Sequence, residues 1–146
     1  MENIYLLALV SLVAVAVGFA LKANGGQIKK PKTHANFSSK FDKFGSQGSL
    51  GTLIQFSTEY CSVCPSSKKV LTEIASQSPG VEFIEIDAEK NFDFAKELSV
   101  LATPTVLIIN NFGDEIARFS GKPKKDKLRV FIKETLTASS LERKSA

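Results

Sequence analysis

Two cysteines, Cys61 and Cys64, constrain this 146-residue chain more than any other feature, because they are its only cysteines and two residues separate them. Residues 53–57 before the pair form a mostly apolar, strand-like run, and residues 66–76 after it have helical spacing. A loop between a strand end and a helix start exposes the first cysteine to unpaired backbone N–H groups and a partial positive charge. These conditions favour the thiolate, the form of cysteine that attacks a disulfide. The pair therefore predicts a redox-active dithiol.

Composition indicates one globular domain in addition to a membrane segment, since 43% of the residues are hydrophobic and 11 are Phe. The net charge of +4 owes much to lysines in a linker and tail, and no basic stripe alternates with aromatic residues. We therefore expect no nucleic-acid partner. Two cysteines are also too few for a secreted scaffold held together by disulfides.

An apolar segment at residues 4–21 runs for 18 residues without a charge. As a helix it would span about 27 Å at about 1.5 Å per residue, enough for most bilayers. A cleaved signal peptide is the alternative, but signal peptides begin with a positively charged region, and this chain begins Met1-Glu2-Asn3. The small-x-small sequence at 14–16 lies inside the apolar run. We therefore expect residues 1–21 to form an uncleaved transmembrane anchor.

The charges beside this segment predict its orientation in the membrane. No Lys or Arg precedes the segment, whereas Lys22, Lys29, Lys30 and Lys32 follow it closely, with no acid before Asp42. This bias places the C-terminal side in the cytoplasm. We therefore expect a single-pass protein of the cell membrane whose main domain faces the cytoplasm, with the extracytoplasmic face as the alternative.

Residues 22–47 are expected to form a polar, lysine-rich linker and one short helix. Residues 22–36 have the composition of a tether. Phe37, Phe41 and Phe44 then recur at helical spacing, which predicts a short helix whose Phe stripe packs on a sheet.

The rest of the chain alternates strand and helix patterns, which predicts an α/β domain over residues 48–138 and a polar tail over 139–146. In the strand predicted at 81–87, Glu82 and Glu85 are expected to point outward. The other elements are a strand (52–57), helices (66–76 and 91–98), a hairpin (106–109 with 115–119) and a last helix after Gly121 with Leu128, Phe131, Ile132 and Leu136 on its apolar face.

From about residue 48 to residue 136 the sequence resembles the thioredoxin family. The residues that carry the resemblance are Phe56, Tyr60-Cys61-Ser62-Val63-Cys64, Ile86-Asp87, Thr103-Pro104-Thr105 and Gly121. The Cys-x-x-Cys motif alone is weak, but joined to Thr-Pro-Thr ahead of an apolar strand and hairpin it is a strong signal. With its N-terminal segment, the chain is similar to bacterial membrane-tethered thioredoxin-like proteins. The resemblance implies a thioredoxin-like fold, a central mixed sheet with flanking helices, preceded by one transmembrane helix.

The resemblance also implies roles for particular residues. Cys61 would be the nucleophile and Cys64 the resolving cysteine. The Thr103–Pro104 bond would be cis and lie against the dithiol, with the backbone of Thr103 binding an extended substrate. Tyr60 stands where the family usually has Trp, and keeps an aromatic wall for the substrate.

Two positions beside the motif depart from the family. Gln55 stands where the family has a buried acid that helps to deprotonate the resolving cysteine, and Phe83 replaces the lysine that partners this acid. Because Gln cannot act as a base, resolution is expected to use water, Glu59 or the leaving thiolate.

The cysteine pair has two plainer interpretations, a structural disulfide and half of a zinc site. Zinc needs about four ligands, and the single histidine, His34, is interpreted as a solvated linker residue. A structural disulfide does not need a helix start opposite Thr103–Pro104. We therefore expect redox chemistry, with no metal and no cofactor.

Three functions follow from these observations. The first is a membrane-tethered disulfide reductase that passes electrons from an upstream donor, such as a thioredoxin reductase-like protein, to protein disulfides. The second is an outward-facing oxidoreductase for exported proteins or cytochrome maturation. It is disfavoured by the lysine flank and by the short span between Cys64 and Pro104. The third is a non-catalytic adaptor on a thioredoxin scaffold, against which stands the retention of both cysteines.

Overall fold

The computed structural model describes residues 2–23, 28 and 38–142 of the chain. The secondary-structure elements within these residues alternate as the sequence predicts. In chain order they are α1 (Glu2–Ala23), α2 (Ser38–Phe41), β1 (Gly51–Ser57), α3 (Cys64–Ser76), β2 (Val81–Asp87), α4 (Phe92–Glu97), β3 (Thr105–Asn110), β4 (Glu115–Ser120) and α5 (Lys125–Glu142).

The four strands form one sheet in the spatial order β2-β1-β3-β4. β1 and β2 are parallel and are connected through α3, whereas β3 pairs antiparallel with β1 and with β4. Gly113 turns the β3–β4 hairpin with a φ of 83°, a left-handed conformation that glycine adopts without steric cost. The predicted mixed sheet is therefore confirmed.

Helices cover both faces of the sheet, so that alternate side chains of β1 enter two different cores. Leu53 packs with residues of α3 and α5 on one face. Ile54 and Phe56 pack with residues of α2 and α4 on the other face. Gln55 therefore shares the face of Leu53 and lies under α3, where it is fully buried.

Two phenylalanines attach the segment before β1 to the second core. Phe41 is fully buried and meets the ring of Phe94 edge-on at 5.4 Å, and Phe44 stacks on the same ring at 5.4 Å. The predicted Phe packing is thus confirmed for these two residues, although α2 ends at Phe41 and a turn follows, closed by the hydrogen bond from the N–H of Phe44 to the carbonyl of Phe41 (2.9 Å).

The predicted strands and helices of the domain are confirmed, with one extension at the C-terminus. α5 continues to Glu142, past the expected end at about residue 138, because residues 137–142 contain neither Gly nor Pro to stop it. Several predictions fall outside the described residues: those on linker residues 24–27 and 29–37, which include His34 and Phe37, and on tail residues 143–146.

Helix α1 differs from α3 and α5 in the exposure of its side chains. Every side chain from Ile4 to Ala20 is exposed, and most of them are apolar. Within the described residues, no helix meets the length and hydropathy required to cross a membrane. The transmembrane anchor therefore stays a prediction.

Candidate active site

Cys61 and Cys64 form a disulfide at the start of α3, with an S–S distance of 2.09 Å and a Cα–Cα distance of 5.4 Å. The loop between β1 and α3 is a series of tight turns, in which the N–H of Cys61 donates to the carbonyl of Thr58 (3.2 Å). Pro65 occupies the first turn of the helix, where its missing N–H leaves no hydrogen bond unmade. The local sequence thus places both sulfur atoms where the helix begins.

The two cysteines have different surroundings. Cys61 is half-buried and its Sγ accepts a hydrogen bond from the backbone N–H of Cys64 at 3.1 Å. Cys64 is only 4% exposed and belongs to the buried face of α3. A hydrogen-bond donor and the positive end of a helix both stabilise a thiolate at Cys61. The geometry therefore suits Cys61 for attack and Cys64 for an internal reaction.

The loop before β3 contains the second part of the site. Its Thr103–Pro104 peptide bond is cis, as the resemblance implies, and Pro104 is buried. The carbonyl of Pro104 accepts a hydrogen bond from the N–H of Gly121 at 2.8 Å. The hydroxyls of Thr58 and Thr103 are 3.1 Å apart, which ties this loop to the dithiol loop. The sequence does not single out Thr58, because only the fold brings it to Thr103.

A mostly apolar groove begins at this pair of threonines. Its volume is about 510 Å³, and it is lined by Thr58, Ala88, Glu89, Phe92, Ala95, Lys96, Val100, Leu101, Ala102 and Thr103. Phe92 and Leu101 are strongly exposed at its edges, with 65% and 94% of their surfaces accessible. On the dithiol loop, Tyr60 is 87% exposed. Exposed apolar surface therefore lies beside the dithiol loop.

The buried side of the dithiol is polar. Gln55 Nε2 donates to the carbonyl oxygen of Cys64 at 3.3 Å and to Glu85 Oε1 at 3.5 Å. Gln55 Oε1 is buried and has no hydrogen-bond partner among the described residues. The predicted supporting residue Gln55 therefore contacts the backbone of the second cysteine directly.

Glu85 is exposed, as predicted, on the face of the sheet that also carries Gln55. Both faces of the sheet are covered, and Gln55 and Glu85 are register partners of the parallel β1–β2 pair, so the two side chains share the face below α3. The Glu85 carboxylate accepts hydrogen bonds from the Ser57 hydroxyl (3.1 Å) and from Lys68 Nζ (2.6 Å). Glu82, on the opposite face, is exposed as predicted.

Glu59, the other supporting acid that the sequence suggested, is an exposed residue of the dithiol loop. Phe83 is half-buried and packs in the core on the face of Leu53, and the polar partner of Gln55 is instead Glu85. The strand register alone reveals this partner, because Glu85 lies opposite Gln55. His, Cys, Asp and Glu side chains form no metal-binding group of three or more in the described part of the chain.

Charged residues away from the sulfur atoms stabilise the frame of the site. Arg118 binds the buried carboxylate of Glu115 through two contacts of 2.5 and 2.6 Å and donates to the carbonyl of Leu98 (3.0 Å), the residue after α4. The hydrogen bonds to Glu115 raise the pKa of Arg118. Asp87, at the end of β2, has a lowered pKa, chiefly because its carboxylate accepts the backbone N–H of Lys90.

A family model and two of the relatives that match this chain are described as thioredoxins. A family model described as Thioredoxin matches residues 30–134. Thioredoxin H-type of Fagopyrum esculentum is 28% identical over 117 residues, which cover 80% of this chain and 99% of the relative. Thioredoxin C-3 of Corynebacterium nephridii is 30% identical over 96 residues, 66% of each chain.

Solved structures share the fold. The thioredoxin of Fasciola hepatica is 29% identical and has a TM-score of 0.53, covering 65% of this chain and 86% of its own. Mitochondrial thioredoxin 3 of Saccharomyces cerevisiae, in its oxidised form, is 25% identical with a TM-score of 0.54, covering 68% and 90%. With a disulfide at the start of α3 and a matching family model, the chain belongs to the thioredoxin family of thiol–disulfide oxidoreductases.

Proposed function

We propose that the protein is a membrane-tethered disulfide reductase whose Cys61–Cys64 dithiol faces the cytoplasm. The observation that carries the redox part is the disulfide itself, which lies at a helix start with one sulfur half-buried and the other buried. Thioredoxin-family proteins act on protein disulfides. An upstream donor, such as a thioredoxin reductase-like protein, would return the pair to the dithiol form.

The first step of the proposed reaction is attack by Cys61. Its thiolate, stabilised by the N–H of Cys64, attacks one sulfur of a substrate disulfide and forms a mixed disulfide. The second substrate sulfur leaves as a thiolate and takes a proton from solvent. Cys64 then loses its proton and attacks Cys61 Sγ, which releases the reduced substrate and re-forms the internal disulfide seen in the structure.

Substrate binding is assigned to the exposed apolar surface beside the dithiol. Thr103 precedes the buried Pro104 and lines the groove, which supports a role for its backbone in hydrogen-bonding an extended substrate segment. Tyr60 offers an exposed aromatic face on the other side of Cys61. Aromatic surfaces of this kind supply large contact area with little loss of side-chain entropy.

The membrane tether is proposed from the apolar sequence of residues 4–21 and from the exposure of the α1 side chains. Exposed apolar surface of this extent is unusual in a soluble protein, and it favours contact with lipid. Lys22, Lys29, Lys30 and Lys32 favour the cytoplasmic face for the domain. Between α3 and β3 the described chain holds only β2 and α4, and this short span also speaks against the outward-facing alternative.

The redox proposal is tested by reduction of a protein disulfide. The purified protein, kept reduced by dithiothreitol, is expected to accelerate reduction of insulin disulfides, and Cys61→Ser is expected to remove this acceleration. A wild-type protein that gives no acceleration over dithiothreitol alone would support the adaptor function.

The topology proposal is tested by labelling intact cells with a membrane-impermeant maleimide after reduction. Cys61 is expected to stay unlabelled until the membrane is opened. Labelling of Cys61 in intact cells would place the domain outside and would favour a role with exported proteins.

A further inference from the structure

Attack by Cys61 does not use the polar group on the buried side of the disulfide. The core of this group is the Gln55 amide, whose Nε2 lies 3.3 Å from the Cys64 carbonyl oxygen and 3.5 Å from Glu85 Oε1. Both of these atoms are acceptors, so they determine which end of the amide faces them. The acceptor end, Oε1, is then buried without a partner among the described residues.

Glu85 connects this buried amide with solvent. Its side chain is 31% exposed, and its carboxylate is held by Lys68 of α3 at 2.6 Å and by the Ser57 hydroxyl of β1 at 3.1 Å. In the described structure the charged groups that face Glu85 are Lys68 and, two residues along the same face of β2, Asp87. The Asp87 carboxylate is engaged by the backbone N–H groups that follow it.

The resolving step of the reaction needs such a group. Cys64 attacks as a thiolate, yet an unperturbed thiol has a pKa of about 8.5 and is mostly protonated near neutral pH. Cys64 is 4% exposed, so bulk solvent reaches its sulfur poorly. The proton must therefore leave through neighbouring groups, and Gln55 is the polar side chain that contacts the Cys64 backbone.

We propose that Glu85 takes up the proton that Cys64 loses when it resolves the mixed disulfide, and that Gln55 connects the two residues. The inference rests on the proposed function, in which Cys64 is the resolving cysteine. In the reduced protein, the unpartnered Gln55 Oε1 accepts a hydrogen bond from the Cys64 thiol, while Gln55 Nε2 keeps its hydrogen bond to Glu85. The proton moves to the Glu85 carboxylate by way of water that exchanges at its exposed edge, and the Cys64 thiolate then displaces the substrate thiolate from Cys61.

This assignment places the acid on the strand beside Gln55. Glu59 is closer to the cysteines in sequence, but Glu85 is the acid that accepts a hydrogen bond from Gln55. Glu85 is 24 residues beyond Cys61 in sequence and reaches the site because β2 lies parallel to β1 in register with Gln55. Glu85 therefore acts on Cys64 through Gln55, as the proton acceptor.

A two-phase reaction with 5,5′-dithiobis(2-nitrobenzoate) tests the proposal. Attack by Cys61 releases the first thionitrobenzoate in a phase whose rate depends on protein concentration. Resolution by Cys64 releases the second in a phase that does not. Glu85→Gln is compared with the wild type between pH 6 and 9. Glu82→Gln is the matched control, since Glu82 is an exposed acid of the same strand whose side chain lies on the other face of the sheet from Gln55.

We expect Glu85→Gln to slow the second phase about tenfold or more at pH 7, because a positioned base is removed, and to leave the first phase unchanged. The difference should shrink toward pH 9, where the thiol ionises without help. Glu85→Asp should restore part of the rate, and Glu82→Gln should match the wild type.

The variant Lys68→Met distinguishes proton transfer by Glu85 from a purely structural role, because it breaks the ion pair but keeps the carboxylate. If Glu85 is the proton acceptor, Lys68→Met retains the wild-type shape of the pH profile. The proposal is overturned if the second phase of Glu85→Gln equals that of Glu82→Gln at every pH, or if Lys68→Met reproduces the Glu85→Gln profile. Absence of the first phase in the wild type would instead contradict the proposed function.

Discussion

The solvent side and the buried side of the dithiol loop differ more than the spacing of the cysteines suggests. Cys61 lies beside exposed residues such as Tyr60 and Val63, which are 87% and 41% accessible. Cys64, three residues later, is 4% exposed and lies over a buried amide. A protein substrate can reach the first of these sulfurs more readily than the second, which supports the proposed roles of Cys61 in attack and of Cys64 in an internal reaction.

The two sides also differ in how their polar groups are supplied. On the solvent side, the backbone supplies the polar contact, since the N–H of Cys64 donates to Cys61 Sγ and the exposed surface is largely apolar. On the buried side, side chains from two strands and a helix converge: Gln55, Glu85 and Lys68. The chemistry of Cys61 is therefore a local property of a helix start, whereas that of Cys64 depends on the sheet.

Removing each sulfur in turn should have the strongest effect on the reaction with protein disulfides. Cys64→Ser is expected to accumulate mixed disulfides between Cys61 and its targets, because the resolving thiol is gone. Cys61→Ser is expected to accumulate none, because the remaining thiol is buried. Non-reducing electrophoresis of both variants after mixing with a disulfide-containing protein measures this. Equal trapping by the two variants would show that burial does not set the roles.

A smaller effect is expected from placing an acid directly on the buried side. Gln55→Asp should speed the resolving phase at pH 7 by about tenfold, because a carboxylate can accept the Cys64 proton and an amide cannot. Stopped-flow measurement of the second thionitrobenzoate release checks this, with Gln55→Asn as the control of equal size. A resolving phase and pH profile unchanged in a folded Gln55→Asp protein would show that this position does not limit the step.

The same variant should lose stability with a defined pH dependence. Burial and the neighbouring Glu85 would both raise the pKa of the new carboxyl above its unfolded value, so the folded state would prefer the neutral form. The destabilisation should therefore be small below about pH 4 and grow as the pH rises through neutrality, up to about 4 kcal/mol. Urea unfolding of Gln55→Asp and Gln55→Asn from pH 3 to 8 measures the difference.

The smallest effect is expected far from both sulfurs, where Lys125 of α5 binds Glu73 of α3. This hydrogen bond lowers the pKa of Glu73. A lowered carboxyl pKa contributes stability above the unfolded value that is lost as the pH falls through the folded one. In Glu73→Gln, the free energy of unfolding should therefore fall slightly less as the pH is lowered, and both phases of the thiol reaction should be unchanged. A change in either phase would show that this surface pair is coupled to the site.

Much of the fold was predictable because each element follows a local pattern. The apolar runs of β1 and β3 and the helical spacing of α3 and α5 were confirmed, as were the mixed sheet and the cis Thr103–Pro104 bond. The bounds of α2 and α5 were less predictable, since helix ends depend on stop signals and packing more than on periodicity. The assignment of individual roles to Tyr60, Thr103 and Glu59 stays a prediction.

The neighbours of the dithiol were predictable only in part. Gln55 was identified as a departure from its family and Glu85 as an exposed residue, but the contact between the two was not predicted. The alternation of β2 predicts which of its side chains share a face, but not which residue of the neighbouring strand lies opposite each of them. The pairing of Thr58 with Thr103 likewise joins residues 45 positions apart, which local patterns do not connect.

The amino-acid sequence by itself determined the elements, the redox pair and the helix start that activates it, because backbone propensities and a helix N-terminus act over a few residues. Tertiary structure alone decided which cysteine is buried and which acid serves it. Those properties depend on strand register and on helices packing over both faces of the sheet, which bring Gln55, Glu85 and Lys68 together from three separate elements.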